Sequence, residues 1–182
     1  MRSRLTLYLA GCLLLTATLT CAAEPLCGRV ETLGSGPNAI TVLYLWGTPY
    51  EQGYAHGKLC AERVKQMIQL LNFGACVAMG VGPEKLDAAW AAMAPYVPAR
   101  YKEELRGLAD GAGISLPLVQ RAHAIPELSE FHCTFFGAWG KATRDGHLHQ
   151  IRALDYATQA GLQDRPALIV SRPAGGVPFV NV

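Results

Sequence analysis

The feature that most constrains the fold is a change of hydrophobic period near Glu130. Before that point apolar residues such as Val64, Ile68 and Leu71 recur every three or four positions, which is the spacing of one helix face. After it, short β-rich runs are separated by Gly and Pro turns. Helices followed by strands are typical of the α+β class, and we predict that class here.

Proline, glycine and serine mark the ends of the predicted helices. A strand at Ala39–Trp46 precedes them, and the aromatic and Met residues of the helices are expected to pack in the core. The predicted helices are one running from Tyr50 through Leu71, one opened by Pro83 and closed by Pro95, one opened by Pro98 and ended by Gly111–Gly113, and one capped by Ser115 and reaching Ala124.

The predicted strands after Glu130 begin with a hairpin. Its first strand is Cys133–Trp139, its turn contains Asp145-Gly146, and its second strand is His147–Leu154. Two further strands are expected at Ala167–Ser171 and Val177–Val182. Because a sheet this apolar needs a covering layer and more strands, we expect the chain to be truncated.

The first 23 residues have the pattern of a secretory signal peptide. Arg2 and Arg4 precede the apolar run Leu5–Leu19, and small residues follow it up to Ala23. We therefore predict an exported protein, periplasmic or extracellular, and no later segment is expected to span a membrane. Lipoprotein anchoring at Cys12 is the weaker alternative, because much of the apolar run lies downstream of that cysteine.

Charge argues against a nucleic-acid partner. The chain has 16 Lys and Arg against 14 Asp and Glu, and the excess of two comes from Arg2 and Arg4. The remainder is neutral and carries no basic stripe, whereas nucleic-acid binders normally carry a basic excess.

Four cysteines remain after the predicted signal: Cys27, Cys60, Cys76 and Cys133. None forms a C-x-x-C pair, so a thiolate zinc site or a thioredoxin-like motif is not expected. If Cys133 is a reactive thiol, two of the other three are expected to be bridged and the third buried.

The predicted hairpin brings candidate catalytic groups together. The end of its second strand, with Arg152 and Asp155, lies beside the start of its first strand at Cys133. A guanidinium stabilises a thiolate, and the α-amine of Cys133, if the His132–Cys133 bond were cut, titrates near neutrality and can act as the base. The alternative is a buried cysteine beside a surface Arg–Asp pair.

Other polar residues favour structural interpretations. His132, His147 and His149 with Cys133 would suit a metal, but strand histidines usually face solvent, so we predict no metal and no cofactor. His56 is expected to cap backbone groups in its glycine-rich turn. Asp110 is expected to bond its own backbone beside Gly111.

Three stretches resemble the N-terminal-nucleophile (Ntn) hydrolases, in the branch of peptidase family C45 and the isopenicillin N (6-aminopenicillanate) acyltransferases, which are related to the choloylglycine hydrolases. Residues 47–57 (GTPYEQGYAHG) resemble the early G-x-x-x-E-x-G-x-x-x-G stretch of that family, and residues 101–113 (YKEELRGLADGAG) resemble its E-L-x-G-x-A-x-G-A-G helix end. Residues 131–143 (FHCTFFGAWGKAT), then Asp145-Gly146 and 152–156 (RALDY), resemble its nucleophile region.

This resemblance implies an αββα sandwich and an autoproteolytic precursor. Cys133 would attack the carbonyl of His132, leaving 24–132 as a helical small chain and 133–182 as the start of the catalytic sheet. Mature Cys133 would then cleave or transfer an acyl group through a thioester, with Arg152 and Asp155 orienting it. The implied partners are a small-molecule amide or acyl substrate and the chain's own cleaved N-terminal part.

Two departures from the family lead to alternatives. His132 stands where the acyltransferases often have Gly, which suggests slower self-cleavage or none. The family continues beyond Val182 with strands and oxyanion-stabilising residues, so we expect a truncated chain that is inactive alone. The competing interpretation is a non-catalytic exported relative that binds a ligand or partner.

Overall fold

A computed structural model of the chain describes residues 25–128, 132–155, 161, 163 and 166–181. The predicted signal peptide and Cys12 lie outside the described residues. Within them the chain is a mixture of helices and strands, and the predicted α+β class is confirmed.

The chain forms five helices and six strands in the described ranges, with short 3-10 turns between some of them. They are β1 (Gly28–Leu33), β2 (Ile40–Gly47), α1 (Pro49–Leu59), α2 (Ala61–Met79), α3 (Pro83–Met93), α4 (Ala99–Ala112), α5 (Leu116–Ala124), β3 (His132–Ala138), β4 (His149–Asp155), β5 (Ala167–Pro173) and β6 (Phe179–Asn181). The helices predicted from Pro83, Pro98 and Ser115 are confirmed, whereas the first predicted helix is two helices that meet at Cys60.

Four strands form one sheet in the order β1-β2-β5-β6. The central pair, β2 and β5, is parallel, and both outer pairs are antiparallel. Val42 and Leu43, which are consecutive and so point to opposite faces, are both almost completely buried. Because β1 and β2 precede residue 132 and β5 and β6 follow residue 133, the two predicted chains of a processed precursor share this sheet.

The junction of β2 and α1 is fixed by local chemistry. Gly47 ends the strand with a φ of 91°, a backbone conformation that favours glycine. Thr48 and Glu51 then form a capping box, in which the Glu51 carboxylate accepts from the Thr48 amide at 2.7 Å and the Glu51 amide donates to Thr48 Oγ1 at 3.3 Å. Pro49 occupies the first turn of the helix, where no N–H is needed.

Helices α1 and α4 pack against each other through glycines. A Cβ at Gly53 would overlap the carbonyl oxygen of Glu104, and one at Gly107 would overlap that of Tyr50. Further along, a Cβ at Gly57 would lie 2.6 Å from the Ala112 amide nitrogen. The two glycine-containing stretches that carried part of the family resemblance are therefore partners in one close helix contact.

Two buried clusters hold the helices and the sheet together. The first joins α2, α4 and α5 through Val64, Ile68, Ala112 and Ala122, and the second joins β2 and α1 through Leu43, Leu45 and Ala55.

Polar bonds add to these clusters. Buried Ser171 on β5 donates from its hydroxyl to Gln52 on α1, whose amide group donates to the Gly47 carbonyl at 3.1 Å. Arg121 on α5 makes a two-pronged bond to Asp87 on α3 at 2.7 and 2.8 Å.

Strands β3 and β4 form a separate two-stranded sheet. The register pairs Cys133 with Leu154 and Phe135 with Arg152. The second strand begins at His149 and not at the predicted His147, because His147 belongs to the turn. Its amide donates to Asp145 at 3.0 Å and its carbonyl accepts from the Thr143 hydroxyl at 3.0 Å.

No single helix within the described ranges is long and apolar enough to cross a membrane. In the same ranges one pair, α2 with the segment Pro83–Tyr96, passes by length and composition, and that pair bends by 105°.

Candidate functional site

The candidate nucleophile, Cys133, is the second residue of β3, and its thiol is free and exposed. Its side chain shares a face with Phe135, Arg152 and Leu154, because directly opposed residues of an antiparallel pair point the same way. The Arg152 guanidinium reaches diagonally across this face, and its Nη2 donates to Cys133 Sγ at 3.5 Å. The structure therefore brings together the thiol and the guanidinium that the hairpin spacing predicts.

Asp155 also lies beside the start of β3, as the hairpin spacing predicts, but on the other face from the thiol. It is the last residue of β4 and stands opposite His132, so strand alternation puts its side chain on the other face from Arg152 and the Cys133 sulfur. Asp155 is therefore beside the His132–Cys133 peptide bond and away from Sγ. An acid there is near the position where a new α-amine would form if that bond were cut.

The surroundings of the candidate site are apolar and open. Phe135 is 64% exposed on the face of the thiol, and Phe136 and Ile151 are exposed to a similar degree on the opposite face. Exposed apolar side chains on both faces of one hairpin are unusual for a soluble surface and are typical of a region that another element covers.

Cys133 and His149, two members of the alternative metal site, are held apart. His149 stands opposite Ala138, five residues along β3 from Cys133, which is about 17 Å at strand spacing. Its Nε2 lies 3.0 Å from Asp145 Oδ1 at the turn. Over the described stretches, no group of three or more His, Cys, Asp and Glu side chains lies close enough together to hold a metal ion.

For His56 and Asp110, the structure shows surroundings that suit a structural role. Burial lowers the pKa of His56 on α1, which favours its neutral form. The prediction that Asp110 bonds its own backbone is wrong, because its carboxylate accepts from the Tyr50 hydroxyl at 2.9 Å and so links α4 to α1. That hydrogen bond is the main reason why the pKa of Tyr50 is raised.

The prediction that two of Cys27, Cys60 and Cys76 form a disulfide is also wrong. Cys60 and Cys76 are both free thiols, and any bridge within this trio would need one of them. They stand 16 residues apart along α2, about 24 Å at 1.5 Å per residue, so one helix keeps them apart. Burial raises the pKa of the Cys60 thiol, which favours its protonated, unreactive form.

Sequence reasoning missed a second candidate site, which we call the aromatic groove. It is a cavity of about 1010 Å³ between α3, α4 and β6, and its lining includes Trp90, Met93, Tyr96, Tyr101, Glu104 and Phe179. The expectation that all helical aromatics are core residues is wrong for Tyr101, which is 44% exposed at the groove. The helical spacing of these residues gave no signal, since an apolar face has the same period whether or not it is covered.

Comparison with known proteins gives three relatives, and no family model matches the chain. Protein dcd1B of Dictyostelium discoideum is 34% identical over 169 residues, covering 80% of this chain and 34% of that protein. Protein dcd1A of the same organism is 30% identical over 178 residues, covering 82% of this chain and 40% of that protein. An uncharacterized protein of Archaeoglobus fulgidus is 28% identical over 195 positions, covering 90% of this chain and 32% of that protein.

The chain thus spans between 32% and 40% of the length of these relatives. Their names state no activity.

Proposed function

We propose that the chain carries the nucleophile region of an exported Ntn-type cysteine amide hydrolase or acyltransferase of the C45 kind. The observation that carries this proposal is the hydrogen bond from Arg152 to the exposed Cys133 thiol at 3.5 Å. Asp155 beside the His132–Cys133 bond adds to it, because a carboxylate there would stabilise the ammonium that cleavage produces.

The role proposed for Arg152 is to favour the thiolate. A guanidinium that donates to sulfur stabilises the negative charge that forms when the thiol loses its proton.

Self-processing is the first proposed reaction. The Cys133 sulfur attacks the carbonyl carbon of His132, and the peptide nitrogen leaves as the α-amine of Cys133 after taking a proton. Water then hydrolyses the resulting thioester, which releases a carboxylate on His132 and restores the thiol. The exposed Asp155 carboxylate would pair with the ammonium that results.

The mature reaction uses the same atoms. The free α-amine accepts the thiol proton, and the sulfur attacks the carbonyl of a small-molecule amide to form a thioester. The amine product leaves with that proton, and water or a second amine then resolves the thioester. No cofactor or metal takes part in this proposal.

The family's αββα sandwich is part of the same proposal. It is supported by the close glycine contact between α1 and α4, which pairs the two upstream stretches that resemble the family. It is also supported by the apolar faces of the hairpin, which a second layer would cover. Export through the N-terminal signal, residues 1–23, remains a proposal from the sequence.

Intact mass spectrometry of the expressed 182-residue chain tests the proposal. We expect two pieces that separate between His132 and Cys133 in the wild type and a single uncut chain in Cys133→Ala. The matched control is Cys76→Ala, which removes a thiol on α2 and should be cut like the wild type. Cleavage that persists in Cys133→Ala would contradict self-processing.

A single uncut wild-type chain would favour the alternative, a non-catalytic exported relative. Two further results would separate the cases. If the source gene continues past Val182 and the longer product is cut, the chain needs the added sequence for its chemistry. If the longer product stays uncut and Cys133 resists alkylation, the proposed chemistry is excluded.

A further inference from the structure

The charged side chains that line the aromatic groove are all acidic. Its only charged side chains among the described residues are the carboxylates of Glu104 and Glu127, and no lysine or arginine lines it. His123 also borders it, with Nδ1 2.9 Å from the Val119 carbonyl oxygen. The groove therefore presents negative charge and aromatic surface to whatever enters it.

Glu104 is the more informative of the two acids. It lies half-buried on α4, and burial raises the pKa of its carboxyl group above the usual glutamate range. No hydrogen bond or ion pair reaches its side chain from any part of the chain that the structure describes. A desolvated carboxylate without a partner is unfavourable, and a cation in the groove would offset that cost.

The aromatic rings supply the second half of a cation site. Ring faces of Trp and Tyr attract ammonium groups electrostatically, and Trp does so most strongly. The Arg100 guanidinium already makes a cation–π contact with the Tyr101 ring, 4.7 Å from its centroid. No such cation lies over Trp90 or Tyr96 in the described ranges, and Tyr96 is 86% exposed.

We propose that the aromatic groove binds a small organic cation, an ammonium group attached to an apolar body, with the ammonium against Glu104 and Trp90 and the apolar body along Met93 and Phe179. The charge of the lining argues for a cation, and the aromatic and aliphatic walls argue for an apolar substituent. This site is separate from the one at Cys133, and the proposal does not depend on the chemistry proposed for Cys133.

Calorimetric titration of the full chain with benzyltrimethylammonium tests the proposal, with benzyl alcohol as the neutral aromatic probe. We expect saturable binding of the cation, about tenfold or more tighter than the alcohol. Glu104→Gln keeps the side-chain shape and should weaken cation binding by about tenfold. Trp90→Leu should weaken it by about three- to tenfold.

The matched controls separate charge in the groove from charge elsewhere. Glu103→Gln removes the neighbouring acid, which pairs with Arg106 on the exposed side of α4, and should leave cation binding unchanged. Cys133→Ala should bind like the wild type, which separates this inference from the proposed enzyme function. Far-UV circular dichroism of each variant shows whether a loss of binding reflects unfolding.

Three results would overturn the proposal. The first is equal affinity for the cation and the alcohol, which would make the groove merely apolar. The second is full cation binding by a folded Glu104→Gln variant. The third is the absence of cation binding by the folded wild type.

Discussion

At the scale of single residues, the Cys133 sulfur has a donor in the Arg152 guanidinium, 3.5 Å away. Replacing Arg152 with Met removes this donor while keeping a long side chain on β4. We expect alkylation of Cys133 by iodoacetamide at pH 7.5 to slow by about three- to tenfold, because an exposed charge-assisted hydrogen bond contributes only modestly. Peptide mapping after timed alkylation measures the rate at Cys133 separately from that at Cys60 and Cys76.

The matched control is Arg144→Met, which removes an arginine from the turn at the other end of the same hairpin. Its alkylation rate should equal that of the wild type. If both variants slow alkylation equally, net charge and not the specific contact explains the effect, and the proposed role of Arg152 is lost.

Glu104 gives a prediction about stability and pH. Its pKa is raised in the folded protein, so folding favours its protonated form and ionisation costs stability. Relative to Glu104→Gln, the wild type should be less stable at pH 7, by a small amount because Glu104 is only half-buried and solvent screens its charge. That deficit should shrink as the pH falls through the raised pKa and vanish below about pH 4.

Urea unfolding of both proteins between pH 4 and pH 8 measures this difference. A constant difference across the range would mean that ionisation of Glu104 is not its source. A cation bound in the aromatic groove should also reduce the deficit at pH 7, since it would offset the same charge.

At the scale of elements, the α1–α4 contact depends on the absence of side chains. Gly53→Ala would place a methyl group against the Glu104 carbonyl, with backbone on both sides and no flexible group to move. We expect this substitution to lower the free energy of unfolding by about 1–3 kcal/mol, as overpacking of a close contact does.

Gly74→Ala is the matched control for this prediction. Gly74 lies inside α2, and an added Cβ there meets nothing within 4 Å. Alanine favours helix over glycine, so this variant should gain about 0.5–1 kcal/mol. Urea unfolding measures the free energy of unfolding of both variants. An unchanged value for Gly53→Ala would mean that the two helices separate easily.

Local signals explain which elements the sequence could reveal. The α3 helix was predictable because Pro83 and Pro95 act on their own neighbourhood. The approach of Arg152 to Cys133 was predictable because a hairpin joins neighbouring strands. Strand β1 was missed because GRVETL has no clear alternation.

Other features depend on contacts between distant residues. The face on which Asp155 lies depends on the register that pairs it with His132, and the hairpin spacing alone did not specify that register. The parallel pairing of β2 with β5 joins segments more than a hundred residues apart, and no local pattern indicates it. The aromatic groove joins α3, α4 and β6 for the same reason and was missed.

At the scale of the whole molecule, burial is distributed unevenly. The centre of strand β2 is buried on both faces, at Val42, Leu43 and Leu45, whereas β4 is exposed along its entire length. A two-stranded hairpin alone is only marginally stable in water. The candidate nucleophile therefore stands on an element with little burial of its own.

Hydrogen exchange tests this uneven distribution. We expect the slowest amide exchange in β2, α1 and α4, with protection near the global free energy of unfolding, and the fastest in β3 and β4, which open locally. Gly53→Ala should speed exchange in the slow group by the amount of its destabilisation and leave the hairpin unchanged. Equal protection of β2 and β4 would show that the hairpin folds as one unit with the body, and Cys133 would then be held without any covering layer.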